Sequence, residues 1–195
     1  MRIQTLKRRV VFLVTSNIHK FEEIRRVLGE FSIATAMLKT VGAVEIQDDG
    51  IEDIARASAR DAVKKCRLPL IVEDAGLFVQ SLESFPGPYS SYVYRTIGND
   101  GILKLMEEVL NRNAYFKSAV AFFRPSMEEP LCFTGEVKGK IVEERRGRQG
   151  FGFDPIFAPS NSTKTFAEMT LKEKNRYSHR ALSVGKFAQW FAASF

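Results

Sequence analysis

The sequence predicts an α/β protein whose mixed, twisted sheet is flanked by helices, on three observations. VVFLV (Val10–Val14) is an unbroken β-branched and aromatic run, as in strands covered on both faces. Helix-spaced apolar residues recur between such runs. Two alternating stretches, YFKSAVAFF and LCFTGEV, flank the turn-like RPSMEEP and form an antiparallel hairpin. Interleaved helices and strands together with a hairpin specify parallel and antiparallel pairing in one sheet.

Each element follows in order. After the first strand, Phe21, Ile24 and Leu28 keep a helical spacing up to Gly29, which suits a C-cap. Ile51, Ile54, Ala55, Ser58, Ala62 and Val63 mark a second helix, and Pro69 introduces a strand ending in the acids Glu73 and Asp74. Ile102, Leu105, Met106, Val109 and Leu110 mark a third helix. Beyond the hairpin, Val184, Phe187, Ala188 and Phe191 line one face of a C-terminal helix.

The 195 residues, 45% hydrophobic, suit one domain with a substantial core. No apolar run reaches the roughly 18–20 residues of a membrane span, and no secretory leader is evident, so a cytoplasmic protein is expected. Cys66 and Cys132 lie far apart with no Cys/His grouping, which suggests neither a zinc site nor a disulfide framework. The net charge of +6 favours anionic partners. Part of it sits in residues 1–9, MRIQTLKRR, read as a solvated basic arm ahead of a single domain over 10–195.

Polar and Gly-rich stretches at the joints of this scaffold are where chemistry tends to reside. TSNIHK (Thr15–Lys20) enters the first helix, whose N-terminal N–H groups suit a phosphate. An ordinary N-cap by Ser16 or Asn17 explains it equally well, and the Walker glycines are absent. EIQDDGIED holds five acids in nine residues, of which Glu52 and Asp53 suit the following helix dipole. Glu73 and Asp74 stand where open α/β sheets bind ligands. Buried acids need compensation, which Mg²⁺ with substrate phosphates supplies. Adjacent strand residues face opposite ways, so the two cannot both hold one ion from one face. In FPGPYSSYVYR, turn chemistry alone explains Pro86, Gly87 and Pro88. In GRQGFGFDPIF, Phe151 and Phe153 either stack on a flat ring or fill the core. KNRYSHR gathers Lys174, Ser178, His179 and Arg180, donors suited to a purine oxygen or a phosphate. A general-base role for His179 has no triad pattern behind it.

TSNxxK, EIQ, VEDAGLFV, FPGPYSSYV, GFGFDPIF and SHRAL, in this order, closely resemble the inosine triphosphate pyrophosphatase family from about Val10 to the final helix. The resemblance implies two lobes with a deep central cleft, usually in a homodimer. It also implies Mg²⁺-dependent hydrolysis of the non-standard purine nucleotides ITP, dITP and XTP to the monophosphate and pyrophosphate. By motif, Thr15, Asn17 and Lys20 would hold the triphosphate. Glu45 and Asp74 would organise the metal and the attacking water, with Asp74 as the catalytic carboxylate and Glu73 supporting it. Phe151, Gly152, Phe153, Asp154, Lys174, Ser178, His179 and Arg180 would form the base pocket. Two positions depart from the family. Ala75 replaces the usual Ser or Thr after the acid pair, and Phe153 replaces a frequent Tyr or Trp. Around Glu45 the loop varies, and Asp48 or Asp49 can substitute. A nucleotide-binding module without hydrolysis and a pyrophosphatase for pyrimidine or modified nucleotides remain alternatives. A nucleic-acid binder would need steep salt dependence, and no stable nucleic-acid complex or membrane contact is expected.

Overall fold

A computed structural model describes residues 9–39, 41 and 46–194, so the basic arm except Arg9 lies outside it. Among these residues, a seven-stranded mixed sheet runs in the order β2-β1-β3-β5-β6-β7, with β4 paired to β3 off this path. The strands are β1 (Arg9–Val14), β2 (Ile33–Leu38), β3 (Leu70–Val79), β4 (Pro86–Gly87), β5 (Asn113–Phe123), β6 (Leu131–Ile141) and β7 (Phe157–Pro159). β1 pairs in parallel with β2 and β3, whereas β3, β5, β6 and β7 pair antiparallel in turn. The predicted hairpin is β5–β6, and its alternating residues continue in register from Asn113↔Lys140 to Phe122↔Leu131.

The helices are α1 (Ile18–Glu30), α2 (Ile51–Cys66), α3 (Ser90–Thr96), α4 (Gly98–Leu105), α5 (Leu171–Lys174) and α6 (His179–Ser194). Ile24, Val27 and Leu28 of α1 and Val184, Phe187, Ala188 and Phe191 of α6 pack over Val11, Leu13, Ile71, Val120 and Phe122 on one sheet face. Ile51, Ala55, Ala59, Ala62 and Val63 of α2 cover Val14, Leu70, Val72, Ala119 and Ala121 on the other. A third cluster joins Leu77, Val79, Val93, Ile102, Met106, Phe153, Ile156, Phe157 and Phe166 beyond the parallel strands.

Three sequence expectations need correction. The acid pair does not end its strand: β3 continues to Val79 because β5 pairs with it from Leu70 to Val79. What ends near the acids is the parallel segment. β1 accompanies only Leu70–Val72, and β4 meets Leu77–Phe78, so Glu73–Gly76 lie between two different neighbours. Gly29 lies inside α1, which closes at Phe31, and Ser32 takes the left-handed conformation instead (φ 58°). The third helix stops at Leu105, so Met106 is buried from a turn rather than from a helix face.

The first turn of α6 lies directly on β6. A Cβ at Gly135 would stand 2.2 Å from the His179 carbonyl oxygen and 2.5 Å from the Ser183 nitrogen. Gly135→Ala is therefore expected to cost about 1–3 kcal/mol through overpacking against backbone. Urea denaturation would measure it, and a midpoint equal to the parent's would refute the close approach.

Candidate active site

Strand alternation sends the two acids of β3 to opposite faces. Glu73 shares the face of Ile71 beneath α1 and α6, and Asp74 shares the face of Val72 beneath α2. Glu73 is buried and heavily bonded. Its Oε1 accepts from Ser118 Oγ (2.7 Å) and Arg180 Nε (3.0 Å), while Lys20 Nζ lies 3.0 Å from Oε2. Lys20 Nζ also donates to the Glu73 carbonyl (3.3 Å). Burial alone would raise this carboxyl, but Arg180 and Lys20 hold it down at about 2. Ser118 Oγ in turn lies 2.9 Å from Ser183 Oγ on α6. Asp74 is half-buried on the opposite face.

A second buried acid, Glu23, completes the cluster from α1. Lys174 Nζ lies 2.7 Å from its Oε1, and Arg180 Nη1 lies 2.5 Å from its Oε2. Burial opposes its ionisation, yet Arg180 and Lys174 lower its pKa overall. Lys174 also meets Asp154 Oδ2 at 2.6 Å, and that oxygen accepts from the Phe151 amide (2.9 Å). For Asp154 burial prevails, and the carboxyl is raised despite Lys174 beside it. Three carboxylates (Glu23, Glu73, Asp154) thus interlock with three cations (Lys20, Lys174, Arg180), drawn from five separate parts of the chain. The Phe151 ring lies against this cluster, 5.2 Å from Lys174 Nζ and 5.4 Å from Arg180 Cζ, and stacks on His19 at 5.4 Å.

The remaining predicted residues fall around this cluster. Asn17 is the N-cap of α1, its Oδ1 accepting from the amides of His19 (2.9 Å) and Lys20 (3.1 Å). Thr15 Oγ1 accepts from the Asn17 amide (3.1 Å) and so braces the same turn. Ser178 is fully buried and accepts from the Ala181 amide (3.2 Å), capping α6. His179 stacks on Phe116 at 4.6 Å. Burial, then Arg180, Lys174 and Lys20, push its pKa well down, so the imidazole is neutral near pH 7. Gly152 has φ 61°, a conformation that favours glycine, and its carbonyl accepts from Asn99 Nδ2 (3.2 Å). Phe153, unlike Phe151, belongs to the core: it is 3% exposed, and Tyr94 meets it edge-on. Glu45 lies outside the described residues.

Glu23, Ser118 and Ser183 escaped the sequence reading. For Glu23 a signal existed: it lies between Lys20 and Ile24 on the inward stripe of α1, where an acid is out of place.

Among the described residues, no group of three His, Cys, Asp or Glu side chains forms a ready metal cage. A hard cation such as Mg²⁺ needs no such cage: it takes one or two carboxylates and completes its shell with phosphate oxygens and water. Asp74, a hard oxygen donor at the end of the parallel segment, fits that requirement.

Fold and site together define a class: mixed-sheet α/β proteins with a buried ionic cluster at the carboxyl end of their parallel strands. The chain belongs to the Ham1 family, whose sequence pattern matches residues 11–190, and this bears out the motif resemblance. A protein of Methanopyrus kandleri named dITP/XTP pyrophosphatase is 45% identical over 181 residues, 93% of this chain and 95% of its own. A Saccharolobus solfataricus protein of the same name is 49% identical over 178 residues, 91% of each chain. A solved HAM1 protein structure from Coxiella burnetii superposes with a TM-score of 0.83 at 28% identity, covering 95% of this chain and 99% of that one.

Proposed function

We propose that this protein hydrolyses the non-standard purine nucleoside triphosphates ITP, dITP and XTP to the monophosphate and pyrophosphate, in the cytoplasm and with Mg²⁺. The observation that carries this reading is the 45–49% identity, over more than nine-tenths of the chain, to relatives named dITP/XTP pyrophosphatase. The site supplies groups suited to the chemistry. Lys20 and the capped turn at Thr15–Asn17 face the polyphosphate. Asp74 orients the attacking water and takes its proton as the bond that releases pyrophosphate breaks. Asp74 and Glu45 would hold Mg²⁺, which when bound neutralises charge on the triphosphate.

Base selection falls to the cluster around Phe151. Hypoxanthine and xanthine carry an acceptor oxygen where adenine carries an amino donor. Lys174 and Arg180 are donors only, and their ion pairs fix where those donors sit. An adenine amino group would face a donor rather than an acceptor, a mismatch costly in a buried site. The neutral His179 supplies one N–H donor and one acceptor. Exposed Tyr89, Tyr92, Tyr94 and Ile97 on and around α3 offer apolar surface for the expected homodimer.

The test is a nucleotide panel of ITP, dITP, XTP, ATP, GTP and pyrimidine triphosphates with Mg²⁺, reading pyrophosphate and monophosphate. Turnover confined to ATP or to pyrimidines, or none at all, would overturn the reading. Within that panel, His179→Ala is expected to lower the ITP-to-ATP preference by about tenfold, the worth of one polar contact. Unchanged ratios would remove His179 from base selection.

A further inference from the structure

We propose that Lys117, held by Glu52, contacts the substrate polyphosphate on the face of β3 opposite Lys20; this rests on the pyrophosphatase reading above. The β3–β5 register sets Asp74 against Ala119 and Gly76 against Lys117. Residues two apart on a strand share a face, so Asp74 and Lys117 are diagonal neighbours beneath α2, with backbones about 7–8 Å apart. The side chains beside them are small. Ala119 carries only a methyl group, whereas the space over Gly76 is taken by the Gly87 backbone, whose carbonyl oxygen would lie 2.3 Å from a Cβ there. No bulky side chain on either strand stands between the carboxylate and the ammonium.

The rest of this face is apolar: Leu70, Val72, Phe78, Tyr115 and Ala121 pack with α2. A lysine here needs a reason. Its Nζ lies 2.5 Å from Glu52 Oε1, each side chain 29% exposed. Glu52 stands in the first turn of α2, the positive end of that helix. The acids Glu52 and Asp53 of that first turn oppose the helix dipole and draw a cation to it. Lys20 meets β3 at Glu73 from the α1 side and Lys117 stands on the α2 side, so a triphosphate reaching Asp74 would lie between two cations. The ion pair with Glu52 holds the Lys117 side chain on this face, which makes Glu52 a positioning residue.

The experiment uses full-length wild type, Lys117→Met, Lys117→Arg and Glu52→Gln. It measures ITP turnover together with calorimetric binding of IMP and of a non-hydrolysable α,β-imido analogue of ITP. Lys117→Met is expected to weaken analogue binding and lower kcat/KM by about tenfold or more, one charge-assisted contact. IMP, lacking the outer phosphates, should bind within about twofold of wild type. Lys117→Arg should recover most of the loss, and Glu52→Gln should raise KM more than it lowers kcat. Analogue affinity unchanged in Lys117→Met, or IMP affinity falling in parallel, would overturn the proposal while wild-type turnover left the pyrophosphatase reading intact. A wild type that neither bound the analogue nor hydrolysed ITP would overturn both.

Discussion

Asp74→Asn is expected to cut pyrophosphate release from ITP by about 10²–10⁴-fold, the usual contribution of a positioned acid or base. The substitution is nearly isosteric and keeps the β3 backbone bonds to Ala119 and its neighbours, so the fold should persist. What it removes is the negative charge and the proton acceptor on the α2 face. The neighbouring Glu73 cannot substitute: it points to the other face and already engages Ser118, Lys20 and Arg180. A folded variant with near wild-type turnover would exclude Asp74 from the chemistry.

The second large effect concerns stability. Arg180→Ala would remove the guanidinium that pairs with both Glu73 and Glu23, leaving two buried carboxylates under-compensated. Breaking a buried pair from one side costs about 3–5 kcal/mol. The pH dependence gives a sharper signature. Glu73 falls from the ordinary 4.5 to about 2 on folding. Between those values the unfolded chain binds a proton that the folded protein does not. The stabilisation, about 3 kcal/mol by linkage, is complete above pH 4.5 and is lost as pH falls toward 2. His179 acts in the same direction below its ordinary 6.5, because the unfolded chain protonates first. Asp154 acts oppositely: its raised pKa means that stability falls as pH rises from 3.8 toward the folded value. Without Arg180, Glu73 keeps only Lys20 as a cationic partner, so the acid-side slope should flatten. Urea midpoints at several pH values from 7 to 3 would show this, and parallel curves for variant and parent would refute the assignment.

Local patterns were the legible part of the sequence. The β5–β6 hairpin could be read because alternation and a turn are written in adjacent residues. α2 could be read because seven buried positions repeat at helical spacing. The extent of β3 could not, because two acids and a glycine interrupt the apolar run while pairing with a strand some forty residues later holds it extended. Motif wording brought Lys174, Asp154 and Arg180 into one list, but not their pairing. Glu23 and Arg180 stand 157 positions apart, and only the docking of α1 against α6 joins them. Phe151 and Phe153 look alike in sequence. A glycine with positive φ between them turns one ring toward the ionic cluster and the other into the core.

The six interlocked charges cancel, three against three, and this bears on temperature. Water solvates ions less favourably as it warms, so the penalty for keeping these groups dry shrinks with heating while their mutual attraction persists. The centre of this molecule therefore gains relative firmness under hot conditions, where an interior of hydrocarbon alone gains nothing further.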